Sequence, residues 1–186
     1  MDDFDESPRP TAAGEWPTAT PAPQEGPVVA RLEALGILYE RYAHPPIATA
    51  ESAGEHWAGI DAVHCKNLFL RNQKGTRHYL VILEHTRRAD LRAVADQIGD
   101  GKLSFASPDR LLTYLGVMPG AVSPFGLVHD HDQHVRVYLD RALNRLPRIS
   151  FHPNINTATF VLTQADFHRF LASCGNLVRD VSVGGQ

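Results

Sequence analysis

The chain reads as an α+β protein built on a mixed, largely antiparallel sheet flanked by helices. Two observations predict it. Apolar segments of strand length follow one another with only turns between them, as in 65–71 and 78–83 and again in 148–151 and 157–162. Capped helical patterns occur among them without alternating strictly with strands, which argues against a doubly wound parallel sheet.

The elements follow in order. Val28, Leu32 and Leu35 recur at helical spacing, and Gly36 stands where a C-cap belongs. Residues 37–42 read as a short strand, after which His44-Pro45-Pro46 breaks regular structure. Thr49 is placed to cap a helix reaching Trp57. The strands 65–71 and 78–83 form a hairpin around Asn72-Gln73-Lys74-Gly75. Asp90 caps a helix carrying Leu91, Val94, Ala95 and Ile98 that ends at Gly99. Residues 102–105 form a further short strand, and Ser107-Pro108-Asp109 opens a helix through Leu115 with proline in its first turn. Residues 135–139, 148–151 and 157–162 complete the strands. Thr163-Gln164-Ala165-Asp166 starts a last helix that ends near Cys174-Gly175.

Composition bounds the rest. With 186 residues, 43% of them hydrophobic, the chain can bury the core of one domain. No apolar run approaches the roughly 20 residues that span a bilayer, and the acidic start Met1-Asp2-Asp3-Phe4-Asp5-Glu6 is unlike a signal peptide. Cys65 and Cys174 stand far apart, so neither a disulfide framework nor a zinc knuckle is expected, and a reducing cytoplasm is. Residues 1–26 hold six acids against Arg9, a balance of −5 within a total of −3, so residues 27–186 carry +2. The first 26 residues read as a disordered, acidic, proline-rich tail and 27–186 as the folded domain. The mildly basic domain permits contact with a nucleic-acid backbone but falls short of the charge of a dedicated DNA binder.

Lys66 lies in Val63-His64-Cys65-Lys66-Asn67-Leu68-Phe69-Leu70, a run that otherwise reads as a buried strand. A lysine there either snorkels to the rim or is kept to hold something anionic, and a pocket rimmed by one fixed cation suits a phosphate or a ribose hydroxyl. In Pro119-Gly120-Ala121-Val122-Ser123-Pro124 a glycine between stiffening prolines is an ordinary turn, or a way of aiming a backbone N–H at a carbonyl or developing oxyanion. His152, forced toward extended backbone by Pro153, is either a satisfied structural histidine or one that orients water or donates to a carbonyl. Asn154 and Asn156 supply amides nearby. The segment His129-Asp130-His131-Asp132-Gln133-His134 sits where a polar hairpin turn is expected, without the rigid surroundings a metal site requires, and is read as structural.

Four segments together resemble a known family: His44-Pro45-Pro46-Ile47-Ala48-Thr49; His64 to Leu70; the loop Gly120 to Pro124 followed by Phe125-Gly126; and Phe151-His152-Pro153 with Asn156-Thr157-Ala158-Thr159. Over residues 27–183 the chain resembles the freestanding editing domains related to the insertion domain of bacterial prolyl-tRNA synthetase, the YbaK/ProX-like superfamily. It is most similar to the ProXp-ala or PrdX branch, which deacylates Ala-tRNA(Pro). The resemblance implies a barrel-like sheet and an aminoacyl-tRNA deacylase. It implies catalytic roles for Lys66, on the 3′-terminal nucleotide, for Gly120, whose amide polarises the ester, and for His152, lining the pocket. It marks Asn67, Thr49, Ser123 and Pro124 as substrate-binding residues. It implies no cofactor and no metal, and as partners the acceptor end of tRNA(Pro) and prolyl-tRNA synthetase, with neither membrane nor DNA.

That reading has a physical logic. A synthetase pocket shaped for proline rejects alanine by only about 1–3 kcal/mol for missing methylenes, so a second, smaller pocket is needed to sieve the error. Two rivals are a deacylase for another small aminoacyl group (cysteine, serine or threonine) and a non-catalytic module that binds tRNA or a synthetase.

Overall fold

The computed structural model describes residues 22–47 and 56–184. Helix α1 (Gly26–Ala34) carries proline in its first turn, buries Val28 and Leu32, and is followed by Gly36 at φ +60°. Strand β1 (Glu40–Ala43) is shorter than the expected 37–42, and Leu38 projects into solvent. The predicted hairpin is present as β2 (Val63–Asn72) and β3 (His78–Glu84), closed by a turn in which the Gly75 amide donates to the Asn72 carbonyl. Helix α2 (Leu91–Ile98) is capped by the Asp90 carboxylate, which accepts from the Arg92 and Ala93 amides, and Gly99 ends it in the left-handed region. Strand β4 (Leu103–Phe105), helix α3 (Pro108–Leu115), a 3-10 turn (Pro124–His129) and β5 (Val135–Asp140) follow. A second 3-10 turn (Arg141–Arg145), β6 (Arg148–Phe151), β7 (Ala158–Thr163), helix α4 (Gln164–Cys174) and β8 (Val178–Val181) complete the chain. Thr163 caps α4 by accepting from the Asp166 amide.

The eight strands form one mixed sheet in the order β1-β7-β6-β2-β3-β5-β8, with β4 added to β2. The pairs β1/β7, β2/β3, β2/β4 and β6/β7 are antiparallel, whereas β2/β6, β3/β5 and β5/β8 are parallel. Strand β8 escapes the sequence reading, because Val178–Val181 alternates weakly and bears two charges.

The sheet is covered on both faces, which explains the unbroken apolar run of β3. Leu80 and Ile82 enter the larger core with α1, α3, α4 and the Pro124–His129 turn, while Tyr79, Val81 and Leu83 pack with Val94 and Ala95 of α2. The folded unit begins before residue 27. Glu25 is fully buried, and both its carboxylate oxygens accept from the Arg41 guanidinium at 2.8 Å. A residue counted with the acidic tail is therefore part of the domain, since a buried carboxylate persists only when paired.

Strand β2 is incompletely paired along one edge among the described residues. Its edge away from β3 pairs with β6 at Val63 and His64 and with β4 at Leu70 to Asn72. Around Lys66 and Asn67 no strand pairs on that edge among the described residues.

Candidate functional site

Strand alternation separates the two candidates on β2. Asn67 shares a face with Cys65 and Phe69, which belong to the larger core, and Lys66 shares the other with His64 and Leu68. The Asn67 side-chain amide donates to the Val122 carbonyl at 2.9 Å, so the strand is tied directly to the Pro119–Pro124 loop. Its Oδ1 is buried with no hydrogen-bond partner among the described residues. Lys66 is half-buried and forms no ion pair among the described residues. Partial burial, and secondarily the charge of Arg88, hold its pKa below the ordinary lysine value.

Gly120 adopts φ +89°, a conformation that side chains with a Cβ rarely take. Its N–H donates to no acceptor among the described residues, although the next amide, Ala121, is bonded to the Met118 carbonyl. A Cβ built on Gly120 would lie 3.7 Å from the Asn156 side-chain nitrogen, so the loop faces the segment that follows β6. Ser123 is fully buried and accepts from the Phe125 amide, capping the 3-10 turn whose first residue is the buried Pro124. Both residues therefore support the loop from inside. Thr49 lies outside the described residues.

His152 emerges from β6 on the same face as Ser150, His64 and Lys66. Its Nδ1 lies 2.8 Å from the Ala158 carbonyl. A carbonyl only accepts, so Nδ1 carries the proton and, in the neutral ring, Nε2 is left as an acceptor. Burial pushes the His152 pKa below the ordinary histidine value, which keeps the ring neutral. The neutral ring therefore offers a base or acceptor at Nε2, and of the two functional options open from sequence, orienting water fits and donation to a carbonyl does not.

Around His152 stands a set of rings that sequence reasoning did not single out. The His44 ring is 5.5 Å from it and that of Trp57 6.4 Å. Trp57 stacks flat on His64 at 4.3 Å and tilts against His85 at 5.0 Å. The Ser150 hydroxyl is 2.6 Å from His64 Nδ1. Burial lowers His44 and His64 to about 4. The available signal was the placement of all ten histidines after residue 26, with Trp57 the sole tryptophan there. Periodicity could not show which of these rings meet.

The candidates thus fall into two groups joined by residues 152–156. His64, Lys66, Trp57, His44 and His152 share one face, while Asn67 bonds the loop that carries Gly120, and Gly120 in turn approaches Asn156. A hollow of about 490 Å³ between α2 and β4, lined by Leu91, Arg92, Asp96, Asp100 and Lys102, contains none of them. The His129–His134 segment is used internally. Asp130 is buried and accepts from the His134 and Val135 amides and from the Asn176 side chain. His134 meets the buried His78 at 2.8 Å.

Comparison with known proteins bears on the family of the chain. A family model described as an aminoacyl-tRNA editing domain matches residues 44–170, which run from just after β1 through most of α4. The prolyl-tRNA editing protein ProX of Acetoanaerobium sticklandii is 40% identical over 157 residues, covering 84% of this chain and 95% of that protein. The prolyl-tRNA synthetase associated domain-containing protein 1 of Bos taurus is 35% identical over 150 residues, covering 78% of this chain and 87% of its own. The multifunctional Ser/Thr-tRNA deacylase ProXp-y of Escherichia coli strain K12 is 26% identical, covering 76% of this chain and 84% of its own. A crystal structure described as a candidate trans-editing enzyme for prolyl tRNA synthetase superimposes with a TM-score of 0.65 at 24% identity, covering 89% of this chain and all of that one.

Proposed function

Because the chain belongs to the aminoacyl-tRNA editing domain family, we propose that it is a trans-editing deacylase that hydrolyses mischarged tRNA(Pro), with alanine as the preferred acyl group. The observation that carries the reading is the unspent Gly120 N–H, held at φ +89° on a loop that Asn67 ties to the lysine-bearing strand. The relative named for prolyl-tRNA editing supports tRNA(Pro) as the substrate.

The chemistry asked of the protein is modest, since an aminoacyl ester is already activated. Water adds to the ester carbonyl and the negative charge that develops on oxygen is met by the Gly120 amide. His152 accepts a hydrogen bond through Nε2 from the attacking water or from the vicinal ribose hydroxyl, orienting it. The proton that the water gives up passes through His152 Nε2 or the vicinal hydroxyl to the ribose oxygen, which is expelled as the tetrahedral adduct collapses and frees the amino acid. Lys66 provides a cation for the terminal nucleotide, and its lowered pKa fits an ammonium kept partly out of water for an anionic partner. Positioning supplies most of the acceleration. Prolyl-tRNA synthetase is the partner that would deliver the substrate.

A second reading, preference for serine or threonine esters, is favoured by the E. coli relative's name. One assay separates them: purified protein is given Ala-, Ser-, Thr-, Cys- and Pro-tRNA, with and without Lys66→Ala. Rapid loss of alanine from Ala-tRNA(Pro), with Pro-tRNA(Pro) spared and the variant slow, supports the proposal. Indifference to alanine rejects the acyl assignment, and inactivity toward every ester supports the non-catalytic rival.

A further inference from the structure

Thr159 is the second residue of β7, 1% exposed, with its hydroxyl between two rings. Trp57 Nε1 lies 3.3 Å and His44 Nε2 3.0 Å from Thr159 Oγ1. Donor inventory fixes the direction of each bond. The indole can only donate, so Thr159 Oγ1 accepts from Trp57. His44 Nδ1 lies 2.8 Å from the Pro45 carbonyl, which can only accept, so Nδ1 carries the proton and Nε2 is the acceptor of the neutral ring. The single hydroxyl proton of Thr159 therefore goes to His44. Burial keeps His44 neutral down to about pH 4, so this arrangement holds through the working range.

Trp57 and His44 both face His152, and His152 is itself bonded to the carbonyl of Ala158, the residue before Thr159. Two adjacent residues of β7 thus hold the proposed water-orienting histidine and the two rings beside it, Trp57 and His44. We propose that Thr159 is a positioning residue for the reaction, whose hydroxyl bridges the Trp57 indole and the His44 imidazole and so fixes the ring cage in which His152 works. The inference rests on the deacylase reading above. It adds a residue that touches neither substrate nor water and acts through two others. The titratable groups facing this cage are His56 beside His44, His64 beside Trp57 and His152, His85 beside Trp57, and, one step out, Lys66.

The test compares Thr159→Val, which keeps the strand-favouring branched shape and removes the hydroxyl, with Thr159→Ser, which keeps the hydroxyl. Steady-state deacylation of Ala-tRNA(Pro) is measured beside histidine and tryptophan side-chain nitrogen spectra of the full chain. The chain has two tryptophans, so its indole region holds two signals. The expected result is a fall in kcat of about tenfold for Thr159→Val with KM little changed, and near-normal kcat for Thr159→Ser. In the spectra, Thr159→Val loses the exchange protection of the Trp57 indole and alters the His152 signals, and Thr159→Ser restores both. Should Thr159→Val fail to fold by circular dichroism, Trp57→Phe removes the other bond and is expected to lower kcat in the same way. A wild-type kcat for the variant that folds, or a Thr159→Ser defect as deep as that of valine, overturns the proposal. So does a His44 signal showing the proton on Nε2. Failure of the deacylase reading is distinguishable: the unaltered protein would be inactive on every ester while its Trp57 and His44 signals still reported the bridge.

Discussion

Asn67 donates its side-chain N–H to the Val122 carbonyl at 2.9 Å, and through that bond the strand bearing Lys66 holds the loop bearing Gly120. Replacing Asn67 with alanine removes one hydrogen bond, worth about 1 kcal/mol of stability. The larger expected effect is on rate, because the loop loses its tether. Chemical denaturation and single-turnover deacylation, run together, check whether kcat falls further than stability does.

Lys66→Ala removes the only proposed cation for the terminal nucleotide. Charge-assisted hydrogen bonds contribute about 1.5–3 kcal/mol, so kcat/KM for Ala-tRNA(Pro) is expected to fall about ten- to hundredfold. Melting temperature should stay unchanged or rise, since a partly buried ammonium without an ion pair among the described residues is being removed. Deacylation at the normal rate refutes the assignment.

Gly120→Ala has room for its methyl, whose nearest neighbour is 3.7 Å away, but not the backbone freedom to hold φ +89°. Such strain costs about 1–3 kcal/mol. The loop is expected to relax and turn its amide away, lowering kcat while tRNA binding, measured by filter retention, changes little.

The pH dependence has a definite sign. Burial lowers His44, His64 and His78 to about 4 and depresses His152, so the folded state binds fewer protons than the unfolded chain below the ordinary histidine pKa of 6.5. Stability is therefore fully present above about pH 6.5 and is lost progressively as pH falls from there toward 4. Deacylation requires neutral His152 and should be level through neutrality, declining only below the ordinary histidine range. Thermal melts and rates between pH 4 and 8 check both limbs.

Glu25→Gln leaves Arg41 facing a neutral amide in a buried site. Removing one partner of a buried pair costs about 3–5 kcal/mol, so the variant should melt well below the parent. A chain begun at residue 27 should show the same loss, and one begun at Ala22 should not. Equal stability of all three would place the domain boundary where composition alone put it.

Local chemistry was legible wherever it acts within a few residues. The cap at Asp90, the Asn72–Gly75 turn, the proline-led α3 and the capping threonine of α4 all appear as read, because each depends on side-chain and backbone groups close in sequence. Three features were not legible. Glu25 looked like a tail acid because its partner Arg41 is 16 residues away. Strand β8 lacks the alternation that marks a strand, and its place follows from pairing with β5. Ser123 looked like a ligand contact and is a buried cap, which only the direction of its side chain reveals.

The sequence by itself determined the fold class, the family and the three residue types on which the proposed chemistry turns, since periodicity, caps and motif order are properties of a one-dimensional string. Only the tertiary structure decided that Lys66 and Asn67 serve opposite faces, and that Ala158 and Thr159 hold a cage of rings around His152. Strand pairing brings residues a hundred positions apart into hydrogen-bond contact, and the proton on each ring is then set by partners that no local pattern encodes.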